Sequence, residues 1–274
     1  MKNISLLIIS LLSIVFVHAQ GPQLQQLWES KEKLPVPESV LYVPDTKELY
    51  VSLIDGEGNA KDGKGGIAVL NLDGSLKNAT WITGLNAPKG MALHRGLLYI
   101  ADITAVVVVD IITGNIIDEI EIEGSVFLND VTTDSYGTVY VSDTRLNKIY
   151  RVKNGKYDVY MDNVNAANGL KHIGADLYVL AGKELWRVNA QNEIAVVAKG
   201  LEQNGDGIEP VGNGDFLVTC WPGLIYHIKA DGTLTKLLDV QGKMNTADLG
   251  FNPEQRVLYI PTFNSNSVVA YQLK

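Results

Sequence analysis

The feature that most constrains the fold is a short, aromatic-rich strand pattern that recurs six times along the chain. The six copies begin at Leu49, Leu98, Val139, Leu177, Phe216 and Leu258. Successive copies begin 49, 41, 38, 39 and 42 residues apart. A β-type repeat with a period near forty is typical of a propeller, in which each repeat forms one four-stranded blade. We therefore predict an all-β chain that folds as a six-bladed β-propeller.

The fourth repeat shows most clearly how one unit divides into strands. Residues 168–173, 177–180, 184–188 and 193–198 are short runs rich in β-branched and aromatic residues, and turns containing Gly, Asn or Asp separate them. This pattern indicates four antiparallel strands joined by tight turns. Because no linker interrupts the repeats, we predict a single domain over residues 20–274.

The two ends of the repeat region predict how the ring closes. The sixth repeat reaches only its third strand, at residues 267–271, whereas residues 23–29 form a spare strand ahead of the first repeat. An unpaired blade edge would leave backbone N–H and C=O groups without partners. We predict that the N-terminal strand completes the last blade.

The first nineteen residues have the pattern of a secretory signal peptide. A basic start at Met1-Lys2-Asn3 precedes an apolar run over residues 4–17 and a small residue, Ala19, at the cleavage position. The apolar run is short for a membrane span, although a retained membrane anchor is the alternative interpretation. We predict a signal peptide over residues 1–19 and a periplasmic or secreted mature protein.

Charge and cysteine content exclude several classes of function. The chain has a net charge of -8 and no basic run, so it lacks the cations that neutralise nucleic acid or an anionic membrane surface. Neither is an expected partner. Cys220 is the single cysteine, which excludes an internal disulfide, and its apolar surroundings predict burial rather than nucleophilic chemistry. The oligomeric state is left open.

A polar residue precedes nearly every copy of the strand pattern by about ten positions. These positions are Glu38, Pro88, Asn129, Asn168, Asp206 and Asp248, and Asp130 adjoins Asn129. Equivalent positions in a ring of repeats face a common axis, so five of the six would direct side-chain oxygens into a central tunnel. Such a site suits Ca²⁺, or less selectively Mg²⁺ or Mn²⁺, and is less suited to Zn²⁺. The alternative is that these residues only cap strand ends and turns.

Four short motifs resemble the gluconolactonase/regucalcin family of six-bladed propellers. They are Pro37-Glu38-Ser39-Val40, Leu128-Asn129-Asp130-Val131, Asn168-Gly169-Leu170 and Asp206-Gly207-Ile208. The resemblance implies one divalent cation bound by Glu38, Asn168 and Asp206, with Asn129 beside it as a contact to the substrate or the metal. Asp130 and Asp248 are additional tunnel residues by position alone. Two departures stand out: Val36-Pro37-Glu38-Ser39 replaces the usual Gly-Glu-Gly-Pro, and Val126-Phe127-Leu128 lacks an arginine that some members use for a sugar acid.

The function implied by this resemblance is metal-dependent hydrolysis of a lactone or related ester, with Asp206 or Glu38 as the general base. No Gly-x-Ser-x-Gly motif supports a serine mechanism. The main alternative is a non-catalytic propeller that binds proteins or glycans and holds a structural metal or none. Chemistry like that of strictosidine synthase or paraoxonase is a third option on this fold.

One long loop, residues 55–66, interrupts the first repeat. Its opening imitates a calcium loop, but Gly66 stands where the closing glutamate is required. We expect a flexible hairpin over one face of the ring and interpret it as a lid for the tunnel.

Overall fold

The computed structural model describes residues 21–274, so the predicted signal peptide lies outside the described residues. The regular secondary structure of this part of the chain is almost entirely β-strand. Its elements are β1 (Leu24–Glu29), β2 (Pro37–Val43), β3 (Glu48–Leu53), β4 (Gly65–Asn71), β5 (Leu76–Leu85), β6 (Pro88–His94), β7 (Leu97–Asp102), β8 (Ala105–Asp110), β9 (Asn115–Glu121), β10 (Leu128–Thr133), β11 (Val139–Asp143), β12 (Lys148–Lys153), β13 (Lys156–Met161), β14 (Ala167–Ile173), β15 (Asp176–Ala181), β16 (Glu184–Val188), β17 (Ile194–Lys199), β18 (Ile208–Gly212), β19 (Asp215–Cys220), β20 (Leu224–Ile228), β21 (Leu234–Asp239), β22 (Gly250–Asn252), β23 (Val257–Pro261), a 3₁₀ turn (Phe263–Ser265) and β24 (Val268–Leu273). Within residues 21–274, no helix is long and apolar enough to cross a membrane.

The strands form six four-stranded antiparallel sheets, which are the blades of a propeller. Blades 1 to 5 each use four consecutive strands, beginning with β2, β6, β10, β14 and β18. The first strand of each blade is the innermost one. The six-bladed fold predicted from the repeat period is confirmed.

Blade 6 is built from both ends of the described chain, in the order β1-β24-β23-β22. Strand β1 runs antiparallel to β24, and its register pairs Leu24 with Leu273 and Glu29 with Val269. The indole of Trp28 also donates a hydrogen bond to the Leu72 carbonyl of blade 1, at 3.0 Å. The prediction that the N-terminal strand completes the last blade is confirmed.

Six of the seven hydrophobic clusters in residues 21–274 lie between neighbouring blades rather than inside one blade, and the seventh is a small cluster of Ile54, Ala87 and Ile103. The cluster between blades 6 and 1, for example, joins Val40 and Leu49 of blade 1 to Tyr259 and Val268 of blade 6. Alternating apolar residues on each strand produce this packing, because both faces of a blade are covered by its neighbours. Cys220 is fully buried in the cluster between blades 4 and 5, and burial raises the pKa of its thiol to about 12.

Candidate functional site

Each innermost strand places one residue at the same level of the central tunnel, just where the strand begins. The register of the first two strands defines this level. In each blade, one residue of the first strand pairs with a central Val or Ile of the second strand, as Val40 pairs with Val51 and Leu170 with Val179. The tunnel residue lies two positions before that first-strand residue. The six residues, which we call the ring, are Glu38, Lys89, Asn129, Asn168, Asp206 and Ala247. The ring therefore contains four of the residues predicted from the sequence.

Blade 2 departs from the sequence prediction because Lys89, not Pro88, occupies the ring. Met91 pairs with Ile100, so the residue two positions earlier is Lys89. The hairpin turn between the first two strands differs in length among the blades, and a constant spacing of ten residues therefore misplaces a blade with a short turn. An alignment on Pro37-Glu38 and Pro88-Lys89 would have identified Lys89, since both prolines begin their strands.

In blade 6 the observed residue lies one position before the predicted Asp248, whereas in blade 2 it lies one position after the predicted Pro88. The Ala247 N–H donates to the Pro261 carbonyl, at 3.1 Å, as the Asp206 N–H donates to the Thr219 carbonyl, at 2.8 Å. Ala247 is thus the ring residue, and Asp248 lies one position further along the tunnel. The first hairpin of blade 6 is longer than the constant spacing assumes, and this accounts for the difference of one position between Asp248 and Ala247.

Glu38 and Asp206 bring two buried carboxylates to the ring. Each side chain is 5% exposed, and within residues 21–274 neither Glu38 Oε2 nor Asp206 Oδ2 has a hydrogen-bond partner. The other oxygen of Asp206 accepts a hydrogen bond from the Asn168 amide at 2.5 Å. The Asn129 amide donates to Thr144 Oγ1 at 3.0 Å, which leaves its oxygen available. The ring thus presents two unpartnered carboxylate oxygens flanked by two amides.

Burial and mutual repulsion make these carboxylates reluctant to ionise. Burial raises the pKa of Glu38 well above its usual value, and the Asp206 carboxylate raises it further. Burial also raises the pKa of Asp206 to about 7, and Asp248 adds to this effect. Two buried negative charges are costly without a compensating positive charge. Ionisation of both carboxylates therefore requires positive charge close to the ring.

The donor atoms of the ring fit a hard divalent cation. Within the described residues, no three His, Cys, Asp or Glu side chains gather closely enough to hold a metal by themselves. Any metal at the ring consequently needs amide oxygens beside the carboxylates of Glu38 and Asp206, and Asn129 and Asn168 can supply them. Oxygen-only donors of this kind suit Ca²⁺. They differ from the Cys and His ligands of structural zinc sites and from the His-containing ligand sets of catalytic zinc sites.

Lys89 brings a buried amino group to the ring that the sequence prediction missed. Its side chain is 2% exposed, and Nζ donates to the carbonyls of Ala87 at 2.8 Å and Gly58 at 3.0 Å. Burial lowers the pKa of its ammonium group, and the nearby Glu38 carboxylate opposes that shift. Gly58 belongs to the long loop between β3 and β4, so this hydrogen bond brings part of the predicted lid against the ring.

Asp130 and Asp248 form a second layer, one residue beyond the ring. Asp130 accepts hydrogen bonds from the backbone N–H groups of Leu170 at 2.6 Å and Val131 at 2.7 Å. Asp248 accepts one from Ser39 Oγ at 2.6 Å. These contacts connect blade 3 to blade 4 and blade 6 to blade 1, so both carboxylates join neighbouring blades.

The second layer opens onto a polar cavity of about 320 Å³ that continues along the innermost strands. An ion pair between Lys171 Nζ and Glu209 Oε1, at 2.7 Å, lies on its wall. Burial raises the pKa of Asp130 to about 7. The cavity borders Asp130 and Asp248 but not Glu38, Asn168 or Asp206, so the tunnel has two separate polar regions.

Comparison with solved structures identifies other propellers over nearly the whole chain. A streptogramin B lyase aligns with a TM-score of 0.69 and 14% identity, covering 92% of this chain and 98% of the lyase. A proposed gluconolactonase aligns with a TM-score of 0.67 and 18% identity, covering 93% of each chain. Nidogen in complex with laminin gives a TM-score of 0.67 and 18% identity, covering 79% of this chain and 85% of that one.

No protein-family model matches the chain, and no curated protein sequence matches it. The resemblance to a gluconolactonase-type propeller is confirmed at the level of the fold. A lyase and a binding protein share that fold at similar identity, so the function has to be argued from the ring.

Proposed function

We propose that this protein is a divalent-metal-dependent hydrolase of a lactone or related ester, with the ring as its active centre. The observation that carries the proposal is the pair of buried carboxylate oxygens, Glu38 Oε2 and Asp206 Oδ2, that have no hydrogen-bond partner among residues 21–274. Buried polar atoms in proteins are nearly always paired. A bound cation, most readily Ca²⁺ and otherwise Mg²⁺, Mn²⁺ or Zn²⁺, would satisfy both.

Each ring residue has a role in this proposal. Glu38, Asn168 and Asp206 hold the metal, which when bound would polarise a substrate carbonyl as a Lewis acid. Asp206, which a bound cation would keep ionised, is the first candidate to accept a proton from water, and Glu38 is the second possible base. Asn129, whose amide is fixed by Thr144, directs its oxygen towards the substrate.

The setting of the reaction follows from the sequence. The signal-peptide pattern over residues 1–19 supports export to the periplasm or out of the cell. We propose a small-molecule lactone or ester as its partner, since the acidic chain disfavours nucleic acid and anionic membranes.

The second candidate function is a non-catalytic binding module. It is favoured by the inter-blade hydrogen bonds of Asp130 and Asp248, since a metal beside them would act as one more connection between blades. In that case the ring stabilises the fold and the binding surface lies on the loops of the propeller.

Calcium titration of residues 20–274 by calorimetry, with Asp206→Asn, Glu38→Gln and the exposed Asp45→Asn as control, tests the proposal. We expect one-to-one binding that the two ring variants abolish and the control retains. A panel of lactones and esters, assayed with each metal, then separates the two functions. Metal binding without any turnover would favour the binding module, and no binding of any divalent cation would overturn the metal-dependent hydrolase.

A further inference from the structure

Two basic side chains contact the aromatic side chain of Phe127, close to the proposed metal ligands. Lys89 Nζ lies 4.6 Å from the centroid of the Phe127 ring, and the guanidinium carbon of Arg145 lies 4.2 Å from the same centroid. Both distances are in the range of cation–π contacts. Lys89 is a ring residue, and Phe127 lies two positions before the ring residue Asn129. The cluster therefore borders the centre directly.

The backbone around this cluster is fixed in place by Asp143. Its Oδ2 accepts a hydrogen bond from the Val126 N–H at 2.8 Å, and its Oδ1 accepts from the N–H groups of Arg145 at 3.2 Å and Leu146 at 3.0 Å. One buried carboxylate thus positions both the segment carrying Phe127 and the turn carrying Arg145. The preceding residue of that turn, Thr144, holds the amide of Asn129 at 3.0 Å. The cluster and the ring are parts of one preorganised arrangement.

Within the part of the chain that the structure describes, neither Lys89 nor Arg145 forms a direct ion pair, although the buried carboxylates of Asp102 and Asp143 lie near the cluster. Among residues 21–274 the arginines that form ion pairs are Arg151 and Arg187, and Arg145 is exposed. The Lys89 ammonium has three N–H donors, of which two bind carbonyl groups. A divalent cation would balance the carboxylates of Glu38 and Asp206, and the exposed guanidinium of Arg145 would remain without a carboxylate partner.

We propose that Lys89, Phe127 and Arg145 form an anion-recognition subsite, so that the substrate carries a carboxylate or phosphate group in addition to the reacting ester. This inference rests on the proposed function and names its substrate class. The exposed guanidinium of Arg145 offers a planar pair of donors to an anionic oxygen group. Phe127 contacts the carbon skeleton, and the remaining Lys89 donor directs the anion towards the metal-ligand residues.

Calorimetry with matched probes tests this subsite on calcium-loaded protein. The probes are D-glucuronate, its uncharged methyl ester and glucose 6-phosphate, which separate charge from shape and carboxylate from phosphate. The variants are Arg145→Gln and Lys89→Gln, and Arg151→Gln on the outer part of the same blade is the control, since Arg151 pairs with Asp158. Calcium affinity of each variant, measured in parallel, reports whether the ring is intact.

We expect one of the two anions to bind and the methyl ester to bind poorly. Arg145→Gln should weaken anion binding by about tenfold or more, as loss of a charge-assisted hydrogen bond predicts, while its calcium affinity and the control remain unchanged. Equal binding of ester and anion, no binding of either anion at millimolar concentration, or an unaffected Arg145→Gln variant would overturn the subsite. None of these outcomes would alter the calcium titration, so the proposed function would stand or fall separately.

Discussion

Gly90 lies on the innermost strand β6 and Gly207 directly precedes the innermost strand β18, and the neighbouring blade approaches the backbone of both closely. A Cβ atom on Gly90 would lie 2.7 Å from Asp130 Cα and 3.0 Å from the Asn129 carbonyl oxygen. On Gly207 it would lie 2.7 Å from Leu249 N and 2.8 Å from Asp248 Cα. Backbone atoms cannot move aside as a flexible side chain can, so these glycines set the spacing of the blades around the tunnel.

Gly90→Ala should therefore destabilise the protein by about 1–3 kcal/mol, in the range of other overpacked interiors. It should also weaken calcium binding, because the shift falls on Asn129 and Asp130. Urea unfolding and calorimetry measure the two effects. Gly58→Ala is the matched control, since a Cβ there meets no atom within 4 Å. Equal stability of the two variants would contradict the close-packing argument.

At the scale of elements, β1 closes the circle of blades through further contacts in addition to its hydrogen bonds with β24. The Trp28 ring lies 5.8 Å from the Tyr259 ring of blade 6, and its indole bonds blade 1 at Leu72. Ser267 Oγ donates to Glu29 Oε1 at 2.6 Å. One strand thus holds the two blades on either side of the closure together.

Deletion of residues 20–33 should remove most of the stability, because it opens the circle of blades and exposes the edge of β24. Trp28→Ala should cost about 2 kcal/mol through lost packing and one lost hydrogen bond. Leu27→Ala on the same strand is the control, since Leu27 is 47% exposed. Thermal melting of all three proteins measures the effect. A truncated protein that melted like the intact one would rule out closure as a source of stability.

The loop between β3 and β4 meets the site through Gly58 and the outer strand of blade 2 through an exposed pair, Lys61 Nζ–Glu121 Oε1, at 3.2 Å. Deletion of Gly56–Lys64 should leave the melting temperature almost unchanged, since most of these residues are exposed. It should alter ligand affinity or turnover, because Lys89 loses one of its carbonyl partners. Calorimetry and steady-state assays measure both. Unchanged ligand affinity and turnover would contradict the interpretation of this loop as a lid.

At the scale of the whole molecule, the buried carboxylates make stability depend on pH in an unusual direction. The pKa of Asp206 is raised to about 7, compared with about 3.9 in an unfolded chain. Without metal, its contribution is fully present below about pH 4 and is lost as the pH rises through about 7. We expect the metal-free protein to melt at lower temperature at pH 8 than at pH 5.5, relative to Asp206→Asn.

Calcium should abolish this difference, because a bound cation compensates the ionised carboxylate. Melting curves of both proteins with calcium and with a chelator, across this pH range, measure the effect. The control is again the exposed Asp45→Asn, which should follow the unmutated protein. A metal-free protein whose stability relative to Asp206→Asn rose with pH would contradict the assigned pKa.

The same scale shows what the sequence could predict. A repeat of about forty residues determines six blades, and the strand left over at the N-terminus determines closure, because both depend on local pattern and on the need to pair every blade edge. A constant spacing places Pro88 rather than Lys89 in the ring, because the length of the first hairpin varies between blades. Phe127 and Arg145 gave no local signal, since they meet Lys89 only after blades 2 and 3 have packed together.

Blade 6 also brings Gln23 and Lys274 side by side, where the N–H of each donates to the carbonyl of the other at 3.2 and 3.0 Å. A short peptide linker could join these residues covalently without disturbing β1 or β24. The chain could then be opened elsewhere, for example at the exposed Asn154-Gly155 turn between β12 and β13. The propeller is thus suited to circular permutation, with the order of its blades along the gene changed and their order around the axis preserved.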